Sequence, residues 1–303
     1  MSTIGEVSPG ARAPLSRDST GTRMGWLRNS EFWWRASIWV ALVIGSALMI
    51  MPFLWLVSSS FKPENDIFIF PPKWIPDPWR PQNFSDALTY KPFNIYITNT
   101  LMIVGLNLIA ILFTASLCAY GFARIRFPGR NFWFIATLAS VMLPSQVTLI
   151  PLYIMFFRIG WLDTFLPLTV PVWFGGGAIN IFLIRQFFLG IPVEIEDAAR
   201  IDGANRLQIW WTIFLPLSLP ALTTVAILSF QGTWADFFGP LIYLSSSDNY
   251  TLALGMSLFR SAYSEEMNYM MAISFLMTLP MILLFFFAQR YFISGVSLGG
   301  VKG

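Results

Sequence analysis

Six long stretches of this chain carry no charged residue: Ala36 to Phe61, Pro92 to Ala123, Asn131 to Phe157, Thr164 to Ile184, Leu207 to Ala235 and Met267 to Gln289. A helix needs about 20 predominantly apolar residues to cross the hydrocarbon core of a bilayer, and each stretch is long enough. In lipid the backbone must satisfy its own hydrogen bonds, and these runs are too long and too evenly apolar for barrel strands. The pattern predicts an all-α membrane protein of six transmembrane helices, at about 36–60, 97–122, 132–157, 164–187, 207–235 and 267–290.

Composition agrees. Of 303 residues, 55% are hydrophobic and 12% charged, against roughly 45–50% and about 25% in soluble domains. The 29 Phe and 13 Trp suit a lipid environment, Trp at the level of the headgroups. There is no His, and the single Cys118 lies in an apolar stretch. An intrachain disulfide and serine–histidine chemistry are therefore excluded, and nothing suggests a His/Cys metal site. The net charge of +3 does not point to nucleic acid, because the basic residues are scattered between apolar runs instead of forming one patch.

Charge distribution predicts orientation. With the N-terminus inside, thirteen Lys and Arg lie on that side and six (Lys62, Lys73, Arg80, Lys91, Arg158 and Arg260) on the other. Positive segments are retained in the cytoplasm, so both termini are expected there, with the lipid bilayer between. Residues 1–30 are rich in Ser, Gly, Thr and Arg without apolar periodicity and read as a disordered cytoplasmic tail, followed by one transmembrane domain over 31–303. The first apolar run is too long for a cleavable signal and reads as a signal anchor. The loops at about 61–95 and 245–266 are too short to bury a core of their own.

Leu143-Pro144-Ser145-Gln146 predicts a break in the third span, since proline removes a backbone donor and clashes with the preceding turn. Gly175-Gly176-Gly177 in the fourth suits close helix packing. Polar groups at membrane depth are costly unless paired or facing water, which singles out Asn99, Asn107, Gln146, Asn180 and Gln231. With Trp234 and Asp236, which sit at the outer end of span five, Asn107, Gln146, Asn180 and Gln231 are the candidate translocation-path residues. Helix-to-helix hydrogen bonding is the competing role for the amides.

The most polar interior segment, 190–217, contains Ile191-Pro192-Val193-Glu194-Ile195-Glu196-Asp197-Ala198-Ala199-Arg200-Ile201-Asp202-Gly203-Ala204-Asn205. It predicts a short helix. Pro192 suits the first turn, the acids complement the N-terminal dipole, Gly203 ends the helix in a left-handed turn, and Asn205 caps the next. Ile195, Ala198, Ala199 and Ile201 give it a small apolar surface, for docking on a protein or lying on lipid.

This segment resembles the EAA signature of ABC importer permeases: an acidic residue, two alanines, three residues, Gly, nine residues, then Ile-x-Leu-Pro. Asp197-Ala198-Ala199, Gly203 and Ile213-Phe214-Leu215-Pro216 match that spacing, with Asp197 where the signature usually has Glu. Ser60-Phe61-Lys62-Pro63, Arg126-Phe127-Pro128-Gly129-Arg130, Trp234-Ala235-Asp236-Phe237 and the terminal Gly299-Gly300-Val301-Lys302-Gly303 are similar to the carbohydrate-uptake, maltose-type branch, the last to the smaller of its two permeases.

The resemblance implies a permease of the inner membrane, not an enzyme, that pairs with a second permease, two copies of an ATP-binding subunit that carry ATP and Mg, and an extracytoplasmic sugar-binding protein. It implies that Glu194, Glu196, Asp197, Ala198, Ala199, Asp202, Gly203, Leu215, Pro216, Lys302 and Gly303 couple to the ATPase, with Glu196 and Asp197 meeting its basic groups. The expected cargo is an oligosaccharide or related polyol, with glycerol-3-phosphate or a glycerophosphodiester as the alternative. A secondary transporter does not account for the signature, and a membrane enzyme lacks convergent titratable groups.

Overall fold

The computed structural model describes residues 23–259 and 266–297; of residues 23–30, Ala288 and 290–297 it describes only the helical backbone. Among these residues the regular elements are helices and helical turns, without strands. Four helices are long and apolar enough to cross a membrane: Glu31–Ser60, Phe93–Arg124, Leu166–Gly190 and Met267–Phe287. Two helix pairs, Arg130–Met142 with Ser145–Arg158 and Arg206–Leu217 with Leu219–Trp234, are bent by 94° and 79°. Counted as one crossing each, they complete six spans, numbered here in chain order.

The chain divides into two compact units, residues 1–55 and 56–303. The first contains most of the helix Arg23–Ser60, which begins inside the stretch read from sequence as a tail. Its side chains from Phe32 to Leu54 are mainly exposed and apolar, as on a helix whose solvent is lipid.

Within the second unit the bends follow from proline and glycine. Span three breaks where expected: Leu143 is extended and Pro144 caps the helix Ser145–Arg158 from a non-helical conformation, because a residue before proline is pushed out of the helical region. In span four, Gly175, Gly176 and Gly177 have φ of 109°, 66° and 92°, accessible at low cost only to glycine. A Cβ on Gly176 would stand 2.9 Å from both Ala115 Cβ and Thr114 Oγ1 of span two. The triplet thus lets these spans approach closely, as expected, and also interrupts span four. The bend in span five was not foreseen. Pro216 and Pro220 each delete a backbone donor, and the chain passes through a π turn at Trp210–Phe214 before bending at Ser218.

Two apolar cores form. One joins Ala119, Tyr120 and Ala123 of span two to Ile184 and Phe188 of span four and to Trp210 and Phe214. The other joins Phe93 and Tyr96 to Trp234, Leu252, Phe259 and Ile273. The first lies beside the arginine-rich ends of the spans, here called the basic face; the second lies at the opposite face.

The opposite face is held by amides and one carboxylate. Asn83 Nδ2 donates to the carbonyls of Ser60 (2.9 Å) and Lys62 (2.8 Å), and Asn268 Nδ2 donates to Asn83 Oδ1 at 3.2 Å. Asn99 Nδ2 donates to the carbonyls of Asp248 (2.8 Å) and Tyr250 (3.0 Å). Asp163, at φ 59°, accepts from the Ser245 and Ser246 amides at 2.9 and 2.8 Å and from the Ser246 hydroxyl. Those hydrogen bonds, the Ser246 hydroxyl first, hold its carboxyl well below the usual carboxylate range.

Candidate functional site

The loop between spans four and five forms a helix, Val193–Ile201, with Pro192 as N-cap in an extended conformation. Gly203 has φ 84°. Its amide donates to the Arg200 carbonyl and the Ala204 amide to the Ala199 carbonyl, both at 3.0 Å, the paired C-terminal closure that requires a left-handed residue. Asn205 then opens the next helix with a reciprocal cap: its side chain accepts from the Gln208 amide at 2.9 Å, and Gln208 Oε1 accepts from the Asn205 amide at 2.8 Å. The left-handed turn and the cap agree with expectation.

The apolar residues of the loop helix face outward, in line with expectation, but one of its acids does not. Glu196 is its only buried residue, with a side chain 3% exposed, while Val193, Ile195 and Ile201 are exposed, Ile201 by 87%. Glu196 Oε1 accepts from Arg200 Nη2 at 2.5 Å, and Oε2 lies 3.9 Å from Arg124 Nε. This corrects the expectation that Glu196 reaches outward to a partner: its carboxylate is engaged within the chain. Glu194 and Asp197 are exposed, Asp197 with Arg200 at 3.7 Å. Leu215 and Pro216 lie where span five starts to bend. Lys302 and Gly303 lie outside the described residues.

Arg124, which the sequence reading did not select as a site residue, is the last residue of span two, its side chain 10% exposed. Nη2 donates to the Phe188 carbonyl at 2.6 Å and to the Ile191 carbonyl, and the guanidinium carbon lies 5.0 Å from the centre of the Phe214 ring. The only sequence signal was a positive charge ending a long apolar span; its partners lie more than 60 residues away. Beside Arg124 opens a cleft of about 500 Å³ where Arg124, Arg126, Arg130, Arg200 and Arg206 meet only Glu196 and Asp197 as acids.

No hydrogen bond among the described residues joins any two of the candidate path residues. Asn107 is buried and donates to the Leu168 carbonyl at 3.1 Å, and Asn180 donates to the Gly176 carbonyl at 2.8 Å. The buried Trp234 donates its indole N–H to the Met277 carbonyl at 3.0 Å, and Asp236 Oδ1 accepts from the Gly239 amide at 3.1 Å. Gln146 and Gln231 are exposed on this chain. No group of His, Cys, Asp and Glu among the described residues is arranged to hold a metal.

Residues 111–298 match the family described as binding-protein-dependent transport system inner membrane component. A probable ABC transporter permease, YurM of Bacillus subtilis, is 34% identical over 88% of this chain and 88% of its own length. The arabinooligosaccharides transport system permease AraQ of Halalkalibacterium halodurans is 33% identical over 86% of this chain and 96% of its own. The diacetylchitobiose uptake system permease NgcG of Streptomyces coelicolor is 30% identical, covering 85% and 86%. In fold, the chain resembles one in the crystal structure of a bacterial ABC transporter that imports the acidic polysaccharide alginate, with a TM-score of 0.73 at 23% identity over 92% of this chain and 100% of the other. The chain belongs to the binding-protein-dependent transport system inner membrane components, the multi-pass permeases of ABC importers.

Proposed function

We propose that this permease carries a neutral oligosaccharide inward across the inner membrane, driven by ATP hydrolysis on a separate subunit that docks on the Val193–Ile201 helix. The observation that supports docking most strongly is the inverted helix itself: it buries its one inward carboxylate and exposes Val193, Ile195 and Ile201. Exposed apolar side chains on a short helix closed by a left-handed turn suit a protein groove. The thirteen-to-six distribution of Lys and Arg supports a cytoplasmic location for that helix and for both termini. A second permease completes the pathway, and an extracytoplasmic binding protein delivers the sugar from the opposite face.

The cargo class rests on the names of AraQ and NgcG, whose substrates are oligosaccharides, and on the absence of Lys and Arg from the six charge-free stretches. A phosphate-bearing cargo would call for such groups along the route. The test is uptake into proteoliposomes that contain the assembled transporter and its binding protein. Labelled arabino- and chito-oligosaccharides are compared with glycerol-3-phosphate. ATP-dependent uptake of an oligosaccharide supports the reading; uptake of glycerol-3-phosphate alone refutes it.

A further inference from the structure

We infer that Arg124 is a positioning residue for energy coupling, clamping the loop helix to the ends of spans two and four so that they move as one body. The inference rests on the proposal that an ATPase docks on that helix. A helix of nine residues joined to the spans only by flexible loops would swing freely and deliver little of a partner's push. Arg124 supplies the missing rigidity from one side chain. It is fixed at its root as the C-terminal residue of span two, and its Nη2 reaches the Phe188 and Ile191 carbonyls, at a helix end where carbonyls lack helical partners. Its Nε faces Glu196 of the loop helix, and its flat face lies against Phe214 of span five.

The electrostatics favour this arrangement. The cation sits at the C-terminal, negative ends of two helices, and Glu196 lies in the first, positive turn of a third. Partial burial strengthens the attraction across the 3.9 Å between Arg124 Nε and Glu196 Oε2 relative to an exposed pair. The planar fork is also required: an ammonium can balance the charge of Glu196 but cannot serve two carbonyls, a carboxylate and a ring face together. Arg200 holds the other oxygen of Glu196, so losing Arg124 does not strand a bare buried carboxylate. The joint can therefore be loosened in a folded protein.

The experiment uses the complete transporter in lipid nanodiscs and compares the native chain with Arg124→Lys, Glu196→Gln and the double variant. It reads the ratio of hydrolysis with sugar-loaded binding protein to hydrolysis without it, the ATPase subunit retained on purification, and amide exchange across 193–201. The expected result is retained ATPase subunit, a stimulation ratio lowered about fivefold or more in each single variant, and faster exchange at 193–201 but not in the helix Gln82–Tyr90. The double variant should be no worse than the singles, because all three break one joint. An unchanged ratio in Arg124→Lys, or losses that multiply in the double variant, overturns the inference. If the native complex responds to no sugar, the proposed cargo class falls. Exchange at 193–201 then decides the clamp, and native-like protection in Arg124→Lys overturns it.

Discussion

The two ends of the molecule are held together by different chemistry. At the opposite face, Asn83, Asn99, Asn268 and Asp163 tie neighbouring segments through hydrogen bonds, most of them to backbone groups, around the Phe93–Tyr96–Phe259 core. At the basic face, Arg124 links the ends of spans two and four to Glu196, the one buried residue of a helix that turns its apolar residues outward. Many short hydrogen bonds, most of them to backbone groups, fix a surface in one geometry. One arginine, bonded to the end of span four and facing Glu196, leaves the loop helix able to move as a unit with the spans it touches. On this account the opposite face is a frame and the basic face a joint.

If that contrast holds, damage to packing lowers stability, whereas changes on the outward side of the loop helix alter function alone. The largest stability effect is expected for Gly176→Ala, which forces a Cβ to within 2.9 Å of Ala115 Cβ at a left-handed position; the cost is roughly 3 kcal/mol, read as a lower melting temperature in detergent. Asn83→Ala removes the buried amide that bridges the Ser60 and Lys62 carbonyls and accepts from Asn268 and should cost about 2 kcal/mol by the same assay. Ile201→Asp should leave melting within about 0.5 kcal/mol of native and reduce co-purification of the ATPase subunit about tenfold; a large fall in melting would show that Ile201 serves the fold.

The smallest effect concerns charge at the opposite face. The folded pKa of Asp163 lies below its ordinary value, about 3.9, so its contribution to stability is complete above that value and is lost as pH falls through the folded one. The native chain should melt a few degrees above Asp163→Asn at pH 7, and the gap should narrow from about pH 5 downward. A gap that does not vary with pH would mean that the frame depends on the shape of the side chain and not on its charge.

The spans, the break at Pro144, the turn at Gly203 and the cap at Asn205 were legible in the sequence because each depends on neighbouring residues. Proline and glycine act on their own turn, and the Asn205–Gln208 cap closes over three residues. The inward turn of Glu196 was not legible. Glu194, Glu196 and Asp197 are chemically alike, and which of them faces the protein depends on where Arg124 lies, some 70 residues earlier in the chain. The partners of Arg124 and Asp163 are hidden for the same reason. The bend at Ser218 arises from two prolines and a π turn acting together, although each proline alone is tolerated in a membrane helix. Asn107 and Asn180 could be recognised as costly polar groups at depth, but whether they bond within the chain or face a cargo depends on tertiary neighbours.

The central claim is that the Val193–Ile201 helix and its left-handed closure couple ATP hydrolysis to sugar transport. Gly203→Pro tests it most directly, because proline cannot adopt φ 84° and removes the amide that donates to Arg200. The measurement is sugar-stimulated ATP hydrolysis by the complete complex in lipid, for the native chain and this variant. The account predicts that an oligosaccharide stimulates the native complex and that the variant, still folded and assembled in the membrane, loses the stimulation. A Gly203→Pro complex stimulated as fully as the native one would contradict it.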